Sequence, residues 1–263
     1  MPYLDVNHGK LYYEEEGNGS VLLLITPFGY LQSIWHKQVK FFSKHYRVIT
    51  YDLRGVGKST NEMSKISKEI LLDDLYHIIT HISNERVNLL GIGKLGYLAQ
   101  YFALLYPDRI ESLGLVSSSY GGPNSLSIPF EILQHIFKLV NYDEKIAKAL
   151  CFKETSTKDE KVCEEVLFHK SKKVEKNIYE DYLMMFANTN NENALKNLKV
   201  DTWINTGCDN EIYLVENSKK LHFLIAHSEY QILTGGYLNF YTNSEEFNKA
   251  YFKFLNKKGG KKV

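Results

Sequence analysis

One stretch constrains the fold more than any other part of the chain: residues 87–100, with the sequence Val-Asn-Leu-Leu-Gly-Ile-Gly-Lys-Leu-Gly-Tyr-Leu-Ala-Gln. Its first residues, Val87–Leu90, predict a short buried strand, and the glycines at positions 91, 93 and 96 predict a tight turn. A helix is expected to run from this turn to Tyr106, because Pro107 cannot continue it. A strand that turns directly into a helix is the unit from which parallel sheets are built, so a parallel sheet is expected.

The rest of the chain shows the same alternation of strands and helices. Strands are predicted at residues 3–6, 10–16, 21–25, 46–51, 110–116, 200–206 and 230–233, and helices at residues 31–42, 65–82, 213–221 and 244–255. This order predicts the α/β class, with a mostly parallel doubly wound sheet that begins with a hairpin.

A block of helices without strands interrupts this alternation. The hydrophobic spacing predicts helices at residues 130–140, 143–151, 158–169 and 173–187. We therefore expect a core formed by residues 1–122 and 198–263 and a helical cap formed by residues 123–197. The cap is expected at the carboxyl edge of the sheet, where folds of this class bind their ligands.

Composition argues against several classes of protein. The 263 residues are 44% hydrophobic and carry a net charge of +1, which suits one large domain and argues against a nucleic-acid partner. No apolar run reaches membrane-spanning length, so no membrane span is expected. The three cysteines are widely spaced and form no metal-binding pattern. We expect a cytoplasmic protein, in a reducing compartment, with no metal and no cofactor.

Further landmarks occur in order along the chain. They are the strand and loop Leu22–Phe28, the turn Asp52-Leu-Arg-Gly-Val-Gly-Lys-Ser59, the segment Tyr106-Pro-Asp-Arg-Ile-Glu-Ser-Leu-Gly-Leu-Val116, the pair Gly207 and Asp209, and the turn Gly235-Gly236. Together with residues 87–100, these landmarks resemble the α/β-hydrolase superfamily in its small capped-esterase branch. In that family the turn after the strand is a nucleophile elbow, Gly-x-Ser-x-Gly, which raises a catalytic serine above the sheet. The resemblance implies ester hydrolysis by a Ser-His-Asp triad.

Two of the three positions of that triad hold other residues in this chain. The serine position falls on Gly93 and the histidine position on Tyr237, whereas the acid position keeps Asp209. Thr26-Pro27 stands where the family usually has His-Gly, in the loop that supplies an oxyanion donor. No serine lies between residues 84 and 111, so a small shift of the alignment does not restore the nucleophile.

These residues predict a degenerate triad. A serine esterase needs a hydroxyl nucleophile, a base within hydrogen-bond reach and a carboxylate that orients the base. Glycine supplies no nucleophile, and tyrosine, which titrates at about pH 10, is a poor base at neutral pH. Asp209 is expected either to accept a hydrogen bond from Tyr237 or to be solvated.

Lys94 follows the nucleophile position, at the N-terminus of the predicted helix. Three interpretations are open for its side chain. It reaches water past an apolar surface, or it pairs with Asp209 or an anionic ligand with the help of the helix dipole. The third interpretation is Schiff-base chemistry, which requires a lowered pKa that no residue pattern here indicates.

Other side chains are also candidates for the missing nucleophile and base. The serines at residues 117–119 end the strand after the elbow helix, as a polar strand end or as a relocated nucleophile. Cys208 is expected as a small buried residue beside Asp209. His36 is expected in a packing or surface position, and His227 in a loop.

The pocket under the cap is expected to be aromatic and apolar. Its candidate lining residues are Phe28, Tyr30, Tyr120, Met184 and Tyr237, and the oxyanion region is expected to include Phe28, Lys94 and Tyr120. Such a pocket suits a small hydrophobic ligand.

Three hypotheses about function follow. The first is a pseudoenzyme that binds a small hydrophobic molecule or a protein partner. The second is a hydrolase, esterase or lyase that acts on a small apolar substrate with Tyr237, Asp209 or Lys94 as acid-base groups. The third is an interaction scaffold without a ligand. Resemblance of fold does not choose among them, because one fold supports many functions.

Overall fold

The structure is a computed structural model that describes residues 3–121, 143–171, 174, 176–187, 190–212 and 215–258. The helix predicted at residues 130–140 lies outside the described residues.

Eight strands form one sheet. They are β1 (Tyr3–Val6), β2 (Gly9–Glu16), β3 (Val21–Ile25), β4 (Arg47–Tyr51), β5 (Val87–Ile92), β6 (Ile110–Val116), β7 (Thr202–Gly207) and β8 (Ser228–Leu233). Their order across the sheet is β1-β2-β4-β3-β5-β6-β7-β8. β1 with β2 and β2 with β4 pair antiparallel, and the other pairs are parallel. The predicted α/β class and mostly parallel sheet are therefore confirmed.

The helices of the described residues follow the predicted order. They are α1 (His36–Phe42), α2 (Lys68–Ile82), α3 (Gly93–Leu105), α4 (Glu144–Thr155), α5 (Glu160–Phe168), α6 (Lys176–Ala187), α7 (Glu192–Leu195), α8 (Val215–Leu224), α9 (Asn239–Thr242) and α10 (Ser244–Lys258). The helix predicted from residue 31 begins as a 3-10 turn at Gln32–Trp35. The helix predicted from residue 65 begins at Lys68, because the Ser67 hydroxyl accepts the Ile70 N–H at 3.4 Å and caps it.

Two apolar clusters hold the sheet, one on each face. Successive residues of β3 alternate between them: Leu23 packs in the cluster that contains α2 and α3, and Leu24 in the cluster that contains Trp35 and α10. β3, β5 and β7 are buried at every position, as expected for parallel strands covered on both faces.

A buried ion pair braces the turn after β4. The guanidinium of Arg54 donates to both carboxylate oxygens of Asp74 on α2, at 2.8 and 2.5 Å. Asp52 accepts the backbone N–H groups of Gln32 and Lys58, at 2.7 and 2.9 Å. These contacts fix the loops beside the carboxyl ends of β3 and β4, near the predicted site.

The helices α4–α7, called the insert helices below, lie between β6 and β7 in the chain. Several contacts join this part of the chain to the loops that follow β3 and β4. The Leu31 N–H donates to the His169 carbonyl at 2.8 Å, and the Ser171 N–H donates to the Gly29 carbonyl at 3.0 Å. The Tyr182 hydroxyl donates to the Arg54 carbonyl at 3.2 Å. The exact limits expected for a cap, residues 123 and 197, stay a prediction.

The described residues also bear on membranes and metals. Within them, no helix combines the length and the apolar character needed to cross a membrane. The same residues contain no cluster of three or more His, Cys, Asp or Glu side chains that could hold a metal ion.

Candidate functional site

β5 passes directly into α3 at Gly93, as the sequence predicts for an elbow. The backbone of Gly93 has φ +51°, in the left-handed region. Glycine adopts this conformation without strain, whereas a residue with a side chain is strained there. The elbow therefore keeps its backbone shape, while the residue at its tip carries no side chain.

The ring of Tyr237 lies directly over Gly93. A Cβ atom added at Gly93 would stand 2.9 Å from Cε2 and 3.0 Å from Cζ of that ring, and closer still to the phenol oxygen. The ring thus fills the space into which a nucleophile would project. The structure brings together the two positions that the resemblance pairs as nucleophile and base.

Burial sets the protonation of Tyr237. It raises the pKa of the phenol far above the usual value, and the negative charge of Glu154 raises it further. The Ser117 hydroxyl donates to the Tyr237 carbonyl at 3.1 Å and fixes the backbone of the turn. Tyr237 therefore carries a protonated phenol at neutral pH, which can donate a hydrogen bond but releases its proton less readily than an ordinary tyrosine.

Asp209 lies in solvent. The residue is exposed, and its carboxylate accepts a hydrogen bond from the Cys208 thiol at 3.3 Å. Of the two alternatives for Asp209, the structure matches solvation rather than a bond with Tyr237. The expectation that Cys208 is buried is wrong, because the turn after β7 exposes this residue as well.

Lys94 occupies the first turn of α3, next to Gly93. Its Nζ is enclosed by protein, although the residue as a whole keeps partial exposure. Burial lowers the pKa of the amine to about 8. The interpretation that this side chain reaches water is therefore wrong, because the end of the side chain turns inward.

The serines at the end of β6 support the elbow from below. Ser118 Oγ donates to the Gly93 carbonyl at 2.8 Å. Ser119 Oγ shares a hydrogen bond of 2.7 Å with the Tyr97 hydroxyl. All three serines are buried, and these partners are not bases. The geometry matches a polar strand end rather than a relocated nucleophile.

A buried carboxylate on the insert helices was not predicted. Glu154 Oε2 accepts the Tyr30 hydroxyl at 2.6 Å and lies 3.1 Å from the Lys170 ammonium. Glu154 also acts electrostatically on Tyr237, so it lies at the site. The signal in the sequence was its spacing from Leu150 and Cys151, which places it on the buried face of α4.

The predicted pocket residues Phe28, Tyr120 and Met184 have different surroundings. Phe28 stacks on Tyr182 of α6 with ring centroids 4.6 Å apart, so it contacts the insert helices. Tyr120 is half-buried, and the Lys220 ammonium makes a cation–π contact with its ring, 4.2 Å from the centroid. Met184 does not line an enclosed pocket, because 47% of its surface is exposed.

The two histidines considered in the sequence lie elsewhere. His36 is exposed and stacks on His169 at 5.1 Å between centroids, in a separate surface cavity of about 490 Å³ that Phe168 and Tyr241 also line. His227 lies in the turn before β8, where its carbonyl accepts the Thr202 N–H at 2.8 Å. Both match the expected non-catalytic positions.

Comparison with known families fits this geometry. The sequence profile of the alpha/beta hydrolase fold matches residues 21–153, about half of the 263 residues. This chain belongs to the α/β-hydrolase fold family. The match includes β3, the elbow and the start of the insert helices, so the elbow at Gly93 belongs to a chain of this family rather than to a chance resemblance.

Curated members of the α/β-hydrolase family match parts of the chain. Epoxide hydrolase 3 of Siraitia grosvenorii is 33% identical over 130 residues, which are 48% of this chain and 41% of that protein. The (E)-2-((N-methylformamido)methylene)succinate hydrolase of Acinetobacter baylyi is 28% identical over 114 residues, 43% of each chain. The matched part of the chain spans about half the length of the curated relatives, or less.

Solved structures of α/β-hydrolases match nearly the whole chain. An esterase from Thermogutta terrifontis has a TM-score of 0.83 at 23% identity and covers 95% of this chain and 94% of its own. An enol-lactonase from Burkholderia xenovorans has a TM-score of 0.83 at 22% identity and covers 97% of this chain and 100% of its own. At these identities the likeness establishes the fold alone.

Proposed function

We propose that this α/β-hydrolase-fold chain is a ligand-binding protein that does not use a serine for ester hydrolysis. The observation that carries the proposal is the ring of Tyr237 over Gly93. With no hydroxyl at residue 93 and no imidazole at residue 237, the elbow lacks both nucleophile and base. Asp209 keeps the acid position, but its carboxylate faces solvent.

The ligand that this site favours is small and largely apolar. Phe28, Lys94, Tyr120 and Tyr237 each keep partial exposure, so they border space that solvent reaches. Three of the four are aromatic, and aromatic rings bind flat apolar groups well. A protein partner is the other class of occupant for a chain of this kind.

A second candidate function is catalysis by other residues, as a hydrolase, esterase or lyase. The relatives support it, because those named above are hydrolases. One structural observation also favours it: the enclosure of Lys94 Nζ lowers the pKa of this amine to about 8, so that part of it is neutral near pH 8. Tyr237 adds a protonated phenol at the same elbow. Asp209 is exposed to solvent and favours this function less.

Turnover of p-nitrophenyl butyrate separates these functions. We expect wild-type protein to hydrolyse this ester at the spontaneous rate, and a fluorophosphonate probe to label no serine. The matched pair is Tyr237→Phe and Tyr106→Phe, since Tyr106 is 37% exposed and lies at the opposite end of α3 from the elbow. A rate well above background that falls in Tyr237→Phe but not in Tyr106→Phe overturns the proposal in favour of catalysis.

Binding is tested with indole, a small flat apolar molecule, by titration calorimetry. We expect saturable binding that weakens when Phe28→Ala removes the ring stacked on Tyr182. The control is Phe223→Ala, because 88% of the Phe223 surface is exposed. Equal affinity of indole for wild type and Phe28→Ala excludes the proposed place of binding. If neither indole nor larger aromatic amides bind, a protein partner is favoured.

A further inference from the structure

A cavity of about 360 Å³ lies between the ends of β2 and β4 and residues 32–40, which form the 3-10 turn and the first part of α1. Its volume falls within the range of small-molecule sites, roughly 300–1,000 Å³. The elbow residues Gly93, Lys94 and Tyr237 do not line it. A ligand in this cavity is therefore held at a place separate from the site proposed above.

Two carboxylates at the end of β2 face the cavity. In the antiparallel pairing of β2 with β4, Glu14 lies opposite Thr50 and Glu16 lies opposite Val48. Opposite residues of such a pair share one face of the sheet, and all four of these residues line the cavity. The two carboxylates therefore stand side by side, two residues apart on one strand, on the face that carries the cavity.

Each of these carboxylates keeps one oxygen available to a ligand. Oε1 of Glu14 accepts a hydrogen bond from the Tyr12 hydroxyl, and Oε1 of Glu16 accepts one from the Ser43 hydroxyl at 2.9 Å. Within the described ranges, neither Oε2 atom accepts a hydrogen bond or joins an ion pair. A carboxylate oxygen in this state is a ready acceptor for an N–H group of a cation.

The side chain of Gln32 supplies a donor that is independent of the carboxylates. Gln32 lines the cavity and is only 8% exposed. Its Oε1 is used by the Thr50 hydroxyl, which donates to it at 2.7 Å. Its Nε2 donates to no atom of the described residues, although it is not enclosed by protein. An amide nitrogen that is nearly buried needs an acceptor, so the cavity favours an occupant with an oxygen atom at this point.

The charge around the cavity is negative. Lys40 also lines it and is the cation that faces the two carboxylates. Burial lowers the pKa of His36 below its usual value, so its imidazole is mostly neutral at pH 7. Glu15 pairs with Arg47 at 2.6 Å and adds little net charge. The carboxylates therefore outnumber the cations, which favours a positively charged occupant over an anion.

We propose that this cavity binds a small organic ammonium compound that also carries an oxygen acceptor. The ammonium group lies between the free oxygens of Glu14 and Glu16, and the oxygen of the ligand accepts from Nε2 of Gln32. Val39 and Val48 give the cavity an apolar wall for a short aliphatic side chain. The inference goes beyond the apolar site at the elbow, because it assigns a second ligand of opposite polarity to a different part of the fold.

Titration of the ¹⁵N-labelled protein with L-valinamide at pH 7 tests the inference. This probe has the ammonium group, the carbonyl oxygen and a short apolar side chain. We expect saturable shifts of the backbone amide signals of Glu16, Val48 and Thr50, with a Kd on the order of 1 mM, because ion pairs in contact with solvent are weak. Shifts that do not saturate, or that fall outside the cavity, overturn the inference.

Two analogues separate the roles of the carboxylates and of the amide. Isobutylamine keeps the ammonium group and the apolar body without the carbonyl, whereas 3-methylbutanamide keeps the carbonyl without the ammonium group. Each is expected to bind at least roughly fivefold more weakly than L-valinamide. Equal affinity for either analogue removes one half of the inference, and tighter binding of L-valine than of L-valinamide overturns the cationic class.

Variants locate the binding in this cavity. Gln32→Met is expected to weaken binding of L-valinamide roughly fivefold, and Glu16→Gln roughly threefold. Glu16 is exposed, so its variant keeps the test valid even if Gln32→Met disturbs the fold. Glu85→Gln is the matched control, because it removes the same charge from an exposed turn outside the cavity and should leave the Kd unchanged. An equal loss in Glu16→Gln and Glu85→Gln contradicts a specific site.

Phe28→Ala distinguishes this cavity from the site at the elbow. Phe28 stacks on the insert helices and does not line the cavity. The variant is expected to weaken binding of indole and to leave binding of L-valinamide unchanged. Loss of L-valinamide binding in Phe28→Ala, with unchanged binding in Glu16→Gln, assigns the ammonium compound to the elbow and overturns the inference.

Discussion

The ring of Tyr237 fits over Gly93 only because residue 93 has no side chain. A Cβ atom at that position would come within 2.9 Å of the ring carbon Cε2, which is inside the normal contact distance. A serine at 93 is therefore incompatible with this position of Tyr237, and the two departures from the family pattern are coupled. Reversal of either one alone is expected to harm the fold.

Gly93→Ser is expected to lower the free energy of unfolding by about 2–4 kcal/mol. Overpacking contributes about 1–3 kcal/mol, and the left-handed backbone adds about 1 kcal/mol for a residue with a side chain. Urea denaturation measures the change. Gly29→Ser separates the two contributions, because Gly29 has φ +85° and nothing within 4 Å of an added Cβ atom.

The double variant Gly93→Ser, Tyr237→His is expected to recover the overpacking part of that loss. Histidine is smaller than tyrosine and removes the phenol from the space over residue 93. A double-mutant cycle with Tyr237→His alone gives the coupling energy, which we expect to be about 1–2 kcal/mol. Strictly additive effects contradict a direct contact between the two positions.

Lys94→Met is expected to stabilise the protein by about 2 kcal/mol at pH 7, because it removes an enclosed ammonium from a helix N-terminus. The pKa of about 8 lies below the ordinary 10.5, so the folded state binds fewer protons and the wild type gains stability as pH rises from 8 towards 10.5. The advantage of the variant should shrink over this range. Urea midpoints at pH 7 and 10 measure it, and a variant less stable than wild type at pH 7 would refute the argument.

Lys170→Met is expected to lower the free energy of unfolding by about 3 kcal/mol, because it leaves the buried carboxylate of Glu154 without its cation. The side chains of this pair are only 15% and 9% exposed. Lys170→Met with Glu154→Gln should recover most of the loss. The exposed pair of Lys249 and Glu245 is the control, and Lys249→Met should leave the thermal midpoint unchanged.

His169 is expected to make the protein less stable in acid. Burial, with the positive charges of His36 and Lys37, lowers its pKa to about 4, while Glu165 opposes the shift. The unfolded state has a pKa of about 6.5 and binds the proton first, so stability is lost as pH falls from 6.5 towards 4. In His169→Asn, the urea midpoint should change less with pH between 6.5 and 4. An equal slope in wild type and variant would assign the pH dependence to other groups.

The sequence predicted the parts of the fold that depend on local pattern. The apolar run of β5, the glycines after it and Pro107 each act within a few residues, so the elbow and α3 could be placed with small errors. The contact between the elbow and Tyr237 was expected only from the resemblance to a family. No local rule connects residues 93 and 237, which lie on opposite sides of the insert helices in the chain.

The orientation of charged side chains could not be predicted from sequence in the same way. Glu154 meets Tyr30 across 124 residues, and that contact forms only when α4 packs on the sheet. Lys94 turns inward and Asp209 outward because of what surrounds each turn, not because of their neighbours in sequence. Tertiary packing decides such directions, and a pattern of hydrophobic spacing carries no information about them.

The turn that carries Tyr237 is bonded to the end of α4. The Leu238 N–H donates to the Glu154 carbonyl at 2.8 Å, and the Ser156 hydroxyl donates to the Asp209 carbonyl at 2.6 Å. The turn that covers the elbow and the end of α4 are therefore joined by hydrogen bonds. A displacement of the end of α4 is therefore expected to move the turn that carries Tyr237 as well, and with it the ring that covers Gly93.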